Sequence, residues 1–243
     1  MKKLTKTYKN IIIRPNDFDS KDFIRPSAIL DYFQTIATIH AEEIGLGYEE
    51  MKNKGLAWIL AKQKYVVYDN TNMYDTFDAL TYPLPVKGLA YDRYYELKSA
   101  KTSFLVKGLS RWCVADINTH QITRKQLSYN GECIDDAGGI DFDKDLVKIS
   151  DIEGFTKKCE YLVQNSDLDH YHHMNNTKYG DVILNAIDKE YKIKELEIIY
   201  SHECKCEDVI EAYTKEDNNI IFVLGLIKDT NNICFKAKLI INK

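Results

Sequence analysis

The chain has 243 residues, of which 44% are hydrophobic and 29% charged, with a formal net charge of −4. Such a length allows one large domain or two small ones, and the composition is that of a globular protein, which excludes a disordered or fibrous chain. The negative balance excludes a surface that binds nucleic acid as a whole, and no segment is long enough to span a membrane.

The N-terminus is basic, but only Ile11 to Ile13 follow it as an apolar run. That is too short for the hydrophobic region of a signal peptide, so the expected compartment is the cytoplasm. In such a compartment the six scattered cysteines (113, 133, 159, 204, 206 and 234) are expected to be free thiols. Cys204-Lys205-Cys206 beside His202 lacks the wider paired spacing of structural zinc sites, and neither a metal nor a cofactor is expected.

In chain order, residues 8–13 alternate as a short strand, and Asn16 to Ser20 form a turn-rich polar loop. Ser27 is positioned to cap a helix whose apolar face is Leu30, Phe33, Ile36, Ala37, Ala41 and Ile44, with Gly45 and Gly47 ending it. A short helix around Tyr48 to Asn53 stops at Gly55. Four strand-like runs follow, at Leu56–Tyr68, Thr76–Pro83, Tyr91–Ala100 and Phe104–Asp116, rich in β-branched and aromatic residues and separated by turn residues.

Residues 126–156, with Asp135-Asp136-Ala137-Gly138-Gly139 and an acidic run, read as an exposed linker. A strand at Lys157–Val163 comes next. Then a densely polar stretch from Ser166 to Asn176 leads into a helix with Tyr179, Val182, Ile183, Ala186 and Ile187 on one face. Strands at Leu196–Cys204, Val209–Thr214, Ile220–Lys228 and Ile233–Ile241 close the chain.

The order strand, polar loop, helix, strands thus occurs twice. Asp17, Phe18 and Asp19 stand 150 positions before Asp167, Leu168 and Asp169, and Asp31 stands 150 before Asp181. An internal repeat changes the fold reading. The fold class is α+β, and each half is a long helix followed by an antiparallel sheet, which suits a helix wrapped by a curved sheet, the two halves packing as a pseudo-dimer. The halves differ where chemistry is concentrated. His173 falls on Phe23, Asn175 on Arg25 and Asn176 on Pro26, so one copy is expected to be chemical and the other to support or bind.

The residues before the second helix carry a family likeness. Asp169, Tyr171, His173, Met174, Asn175 and Asn176 resemble the Asp-x-Asn-x-His-[Val/Met]-Asn-Asn pattern of the acyl-ACP thioesterases of plants and bacteria. Gln34 with Ala37, Trp58-Ile59-Leu60, and Ser110-Arg111-Trp112 with Asp116 look like that family's N-terminal domain, and His202-Glu203-Cys204 is similar to its Arg-Glu-Cys segment. The resemblance covers nearly the whole chain.

It implies two tandem hotdog domains: residues 1–125 as an acyl-binding, non-catalytic copy, 126–156 as the linker, and 157–243 as the catalytic copy. It also implies a thioester hydrolase that releases free fatty acid from acyl-acyl carrier protein and so terminates fatty acid synthesis. The alternatives are an acyl-CoA thioesterase and a non-catalytic acyl-binding hotdog protein. The carrier is acidic, so a basic patch is expected around the pocket mouth. The chain is expected as a monomer or a homodimer.

Thioester hydrolysis needs an activated water and a stabilised oxyanion, because a thiolate departs readily. His173 is the candidate to position or activate the water. Asp169 is expected to orient the imidazole or hold the loop. The family's implicated Glu corresponds to Glu203, expected on the strand after the helix as general base or partner of His173. Asn175, Asn176 and the backbone N–H groups from Asn175 to Lys178 are candidates for oxyanion or water positioning. Trp58 is the candidate substrate contact. Tyr171 stands where the family has a catalytic Asn; its hydroxyl also donates, but from several ångströms further out, so altered activity is expected.

Overall fold

In the computed structural model, residues 3–119, 121–125, 127–144, 146–149, 151–187 and 190–242 are described. Weak alternation produces β1 (Lys6–Ile12), then a 3₁₀ turn at Pro15–Asp17 leads to the long helix α1 (Pro26–Glu43). The helix begins at Pro26, so Ser27 is not its cap. Proline's fixed φ and missing N–H suit the first helical position, and the Ser27 hydroxyl instead donates to Asp181 Oδ1 at 2.5 Å. After α2 (Tyr48–Asn53) come β2 (Leu56–Asp69), β3 (Thr76–Pro83), β4 (Tyr91–Lys98) and β5 (Leu105–Asp116).

The second half repeats the order with a shorter helix. β6 (Thr156–Leu162) leads through a 3₁₀ turn at Asn165–Asp167 to a second at Asn176–Lys178, continuing as α3 (Tyr179–Ala186). The expectation of a long helix in each half is therefore corrected: α1 has 18 residues and α3 has 8. α3 ends at Ile187, whose backbone is extended. The chain closes with β7 (Lys192–Tyr200), β8 (Val209–Asp217), β9 (Ile220–Ile227) and β10 (Asn232–Asn242).

Two compact units result. The first comprises the chain up to Pro15, Tyr32–Gln63 and Tyr68–Asp141; the second comprises Asn16–Asp31, Lys64–Val67 and the chain from Phe142 onward. Strands of the first follow the order β1-β3-β4-β5-β2, with β1–β3, β3–β4 and β4–β5 antiparallel. Those of the second follow β7-β10-β9-β8-β6, all antiparallel. In the first unit α1 lies on the sheet through Phe33, stacked on Tyr95 at 4.4 Å, and Tyr32, edge-on to Phe77 at 4.9 Å. In the second, α3 sets Tyr179 edge-on to Tyr200 and Phe235, each at 5.5 Å. Aromatic pairs of this kind add to simple area burial.

The segment 126–155 carries no strand among its described residues, β6 beginning at the last residue of the expected linker; Gln126, Asp145 and Ser150 of that linker lie outside the described residues. It is not the fully exposed linker expected from its polarity, because Leu127, Ile140, Phe142 and Leu146 are buried. Within the second unit Asp143 adds a polar anchor. Its N–H donates to both oxygens of the buried Glu197, at 3.1 and 2.9 Å, and its carboxylate pairs with Lys238. Lys64 reaches Glu195 at 2.7 Å and Glu197 at 3.5 Å. Burial alone would pull the Lys64 ammonium down, but the hydrogen bonds and charges of those two carboxylates outweigh it and hold it above its usual value.

Gly180 sits where α3 meets the start of α1. A Cβ there would lie 2.6 Å from Ser27 N and 2.9 Å from Ser27 Cα. Backbone cannot rotate away as a side chain can. Gly180→Ala is therefore expected to destabilise the second unit by roughly 1–3 kcal/mol, the usual cost of overpacking, read as a lowered urea midpoint with an unchanged slope. An unchanged midpoint would show that the helix start moves freely.

Candidate active site

The polar stretch before α3 is a tight hairpin built on one carboxylate. Asp169 Oδ1 accepts from Tyr171 N at 2.8 Å and His173 N at 3.3 Å, while Asp169 N donates to His173 O at 2.8 Å. His172 takes a left-handed conformation, φ 63°, to close the turn. The first-half loop is the same object. Asp19 Oδ1 accepts from Lys21 N at 2.8 Å and Phe23 N at 3.0 Å, Asp19 N donates to Phe23 O at 2.8 Å, and Asp22 has φ 60°. Bridges between Phe18 and Ile24 and between Leu168 and Met174 complete the match. Asp side chains favour such turns because they hydrogen-bond nearby backbone N–H groups and tolerate left-handed neighbours.

This geometry separates the expected roles. Asp169 holds the loop; among the described residues its carboxylate has no contact with an imidazole. His173, half-buried on the same hairpin, directs Nδ1 to Glu203 Oε2 at 3.3 Å. A carboxylate only accepts, so a hydrogen bond closing this gap takes its proton from Nδ1 and leaves Nε2 as the basic nitrogen of the neutral ring. Glu203 is not on a strand as expected. β7 ends at Tyr200, where the next two N–H groups, of Ser201 and His202, both turn to Cys234 O at 2.8 and 3.3 Å. Glu203 follows in the loop, with its side chain 58% exposed.

What brings that loop to His173 is a backbone hydrogen bond that the sequence does not display: Met174 N donates to Cys204 O at 2.7 Å. Cys204 is wholly buried, its thiol beside Cys234 and Tyr179. Burial drives the Tyr179 hydroxyl far up, so it stays protonated. Hydrogen bonding from Cys234, the largest influence, pulls the Cys204 thiol below its usual value. The Cys234 thiol also reaches Gly225 O, at 3.2 Å. Cys206, by contrast, is exposed. The only sequence signal for this pedestal is that Glu203 is followed by a small apolar residue.

Asn175 is a cap. Its Oδ1 accepts from Thr177 N at 3.0 Å and Thr177 Oγ1 at 3.1 Å. The expected row of free N–H groups from Asn175 to Lys178 shrinks accordingly. Asn175 N donates to Asp167 O at 2.8 Å, Thr177 N to the cap and Lys178 N to Asn175 O at 2.9 Å. Capping satisfies the groups that a helix N-terminus would otherwise leave open. Among the described residues only Asn176 N of this run keeps no partner, while its carbonyl accepts from Tyr200 OH at 3.2 Å. Tyr171 is exposed at the hairpin tip, its ring against His170 at 4.1 Å.

Trp58 belongs to the first unit. Its Nε1 donates to Leu46 O at 2.9 Å and its ring packs edge-on to Tyr91 at 5.1 Å, against a cluster of Leu46, Met51, Leu56, Val114 and Leu127. No helix among the described residues is long and apolar enough to cross a membrane.

Family models match both halves of the chain. The acyl-ACP thioesterase N-terminal domain model matches residues 4–127, and the C-terminal domain model matches residues 149–243. A chloroplastic acyl-[acyl-carrier-protein] hydrolase of Cuphea viscosissima is 23% identical over 225 residues, covering 86% of this chain and 55% of the relative. A chloroplastic oleoyl-acyl carrier protein thioesterase of Coriandrum sativum is 21% identical over 221 residues, covering 81% and 60%. The chain thus spans little more than half the length of the curated relatives it matches.

Among solved structures, an acyl-ACP thioesterase from Bacteroides thetaiotaomicron aligns with TM-score 0.81 and 18% identity over 98% of both chains. A 12:0-ACP thioesterase from Umbellularia californica aligns with TM-score 0.78 and 15% identity over 100% of this chain and 98% of its own. These likenesses establish the double hotdog fold. With both domain models matched in order along nearly its whole length, the chain belongs to the acyl-ACP thioesterase family.

Proposed function

We propose that this protein hydrolyses the thioester of an acyl-acyl carrier protein, releasing free fatty acid and the carrier thiol. The observation that carries this reading is the His173–Glu203 contact at 3.3 Å on the hairpin that matches the family pattern. Glu203 selects the Nδ1–H tautomer of His173. Nε2 then takes a proton from a water as the water attacks the thioester carbonyl. The Asn176 N–H, without a partner among the described residues at the start of the 3₁₀ turn before α3, receives the developing oxyanion. The tetrahedral intermediate collapses, the C–S bond breaks and the thiolate leaves. Carrier protein and the cytoplasm are the partner and setting that go with this activity.

The carrier is the part of the reading to test first. The same acyl chain is offered on acyl carrier protein and on coenzyme A, and thiol release is followed. Turnover on the carrier protein supports the proposal. Turnover chiefly on coenzyme A makes the protein an acyl-CoA thioesterase, and binding without release makes it an acyl-binding protein.

His173→Ala is expected to lower kcat by ~10²–10⁴, the contribution of a positioned acid or base. A loss under about tenfold would remove His173 from the mechanism. Glu203→Gln keeps shape but can offer its amide NH₂ to Nδ1 and reverse the tautomer, so its loss should appear in kcat with KM little changed. Tyr171→Asn restores a short planar donor at the tip of the hairpin. It is expected to raise turnover by about tenfold or more on at least one acyl chain, the scale of one well-aimed donor. Unchanged turnover across a series of chain lengths would show that position 171 has no part in the chemistry.

A further inference from the structure

The short stretch from Tyr200 to Cys204 grips the hairpin and turn before α3 at three points, all within the second unit. Glu203 Oε2 lies 3.3 Å from His173 Nδ1, Cys204 O accepts from Met174 N at 2.7 Å, and Tyr200 OH donates to Asn176 O at 3.2 Å. The first contact touches the proposed base. The last touches the residue whose N–H receives the oxyanion. One short segment therefore sets both ends of the proposed reaction centre relative to each other.

The Tyr200 bond differs in range from the other bonds of the turn. Asn175 Oδ1 caps Thr177 N at 3.0 Å, Lys178 N donates to Asn175 O at 2.9 Å, and Asn175 N donates to Asp167 O at 2.8 Å. Those bonds join near neighbours in sequence. Together they let the turn tilt as a unit without any of them breaking. Tyr200 stands 24 residues beyond Asn176, at the end of β7, where it pairs with Phe235 of β10. Its hydroxyl ties the turn to the sheet and resists that tilt.

The phenol is a steady donor. A carbonyl oxygen only accepts, so the hydroxyl must donate. Burial drives the Tyr200 hydroxyl up, so it keeps its proton. The ring lies edge-on to Tyr179, the first residue of α3, at 5.5 Å. Aim matters at such a place. Removing one oxyanion donor costs ~10²–10³ in kcat, and a displacement of about 1 Å by a remote change can cost about 10².

We propose that Tyr200 is a positioning residue for the hydrolysis. Its hydroxyl holds Asn176 against the end of β7, so that the Asn176 N–H meets the oxyanion while His173 Nε2 takes the proton of the water. Tyr200 acts through Asn176 and not on the substrate itself. This inference rests on the thioesterase reading, and it is independent of which carrier brings the acyl chain.

The test compares the native chain with Tyr200→Phe, which removes the hydroxyl and keeps the ring against Tyr179. On whichever acyl thioester the native chain turns over, kcat is expected to fall about tenfold, short of the loss of a whole donor, with KM within about twofold. The pH profile of kcat should not move, because His173 and Glu203 stay in place. Two inhibitors separate aim from packing. A trifluoromethyl ketone analogue of the thioester hydrates to a tetrahedral adduct, and it should bind about tenfold more weakly to Tyr200→Phe. The plain methylene ketone stays trigonal and should bind both proteins equally. A lowered melting temperature with kcat unchanged is the purely structural outcome and overturns the inference. Equal loss of affinity for both ketones overturns it as well. Absence of turnover by the native chain on every thioester overturns the thioesterase reading and this inference with it, whereas native turnover matched by Tyr200→Phe overturns this inference alone.

Discussion

One carboxylate taking two backbone N–H groups fixes the geometry on which the hairpin before α3 depends. Asp169 closes the hairpin, the left-handed residue at 172 lets the chain reverse, and the side chain at 173 then leaves the loop in a set direction. Asp19 repeats every bond of that turn in the first half with Phe23 in the corresponding slot. Backbone groups in such a turn must be satisfied whatever the loop does. Because an acidic side chain satisfies them locally, the slot residue is free to differ. The two copies thus differ at this slot in a side chain and share the backbone.

Local signals made most of the elements legible. Alternation, glycine punctuation and a long apolar stripe placed α2 and β3 at their observed bounds and the remaining strands within a few residues. What was misplaced depended on distant partners. Ser27 is a good cap by composition, yet Pro26 starts the helix and Asp181, remote in sequence, claims the Ser27 hydroxyl. The second helix is short because Ile187 leaves helical backbone, although its apolar spacing would allow it to continue. The acidic segment after residue 126 reads as solvent-exposed by its charges, but it is held by four apolar anchors and by the buried Glu197, which belongs to a strand far along the chain.

The site divides in the same way. The hairpin and His173 could be read from adjacent residues because their bonds are local. Glu203 could be named from a motif, but its place in a loop follows from Ser201 and His202 both turning to Cys234, and its closeness to His173 follows from Met174 bonding to Cys204. None of these three bonds involves a side chain, so no residue identity announces them. The free N–H groups were overcounted for a related reason. Asn175 signals a helix start, and a cap that works consumes the donors it stands beside.

The exposure of Glu203 constrains what it contributes. An ion pair with one partner 58% exposed at 3.3 Å stabilises by less than ~1 kcal/mol in water. In the proposed reaction its contribution is directional: an acceptor beside Nδ1 chooses the tautomer. Direction requires rigidity, and the rigid part lies underneath, where Cys204, Cys234 and Tyr179 are buried and the Met174–Cys204 bond joins the two loops. Buried support beneath exposed reactive groups suits a substrate whose own arrival excludes water. Only then does the His173–Glu203 contact operate in a low-dielectric setting, where the same geometry becomes stronger. In the proposed reaction the order of events follows: the acyl thioester closes the site, and the charge arrangement gains its strength from that closure.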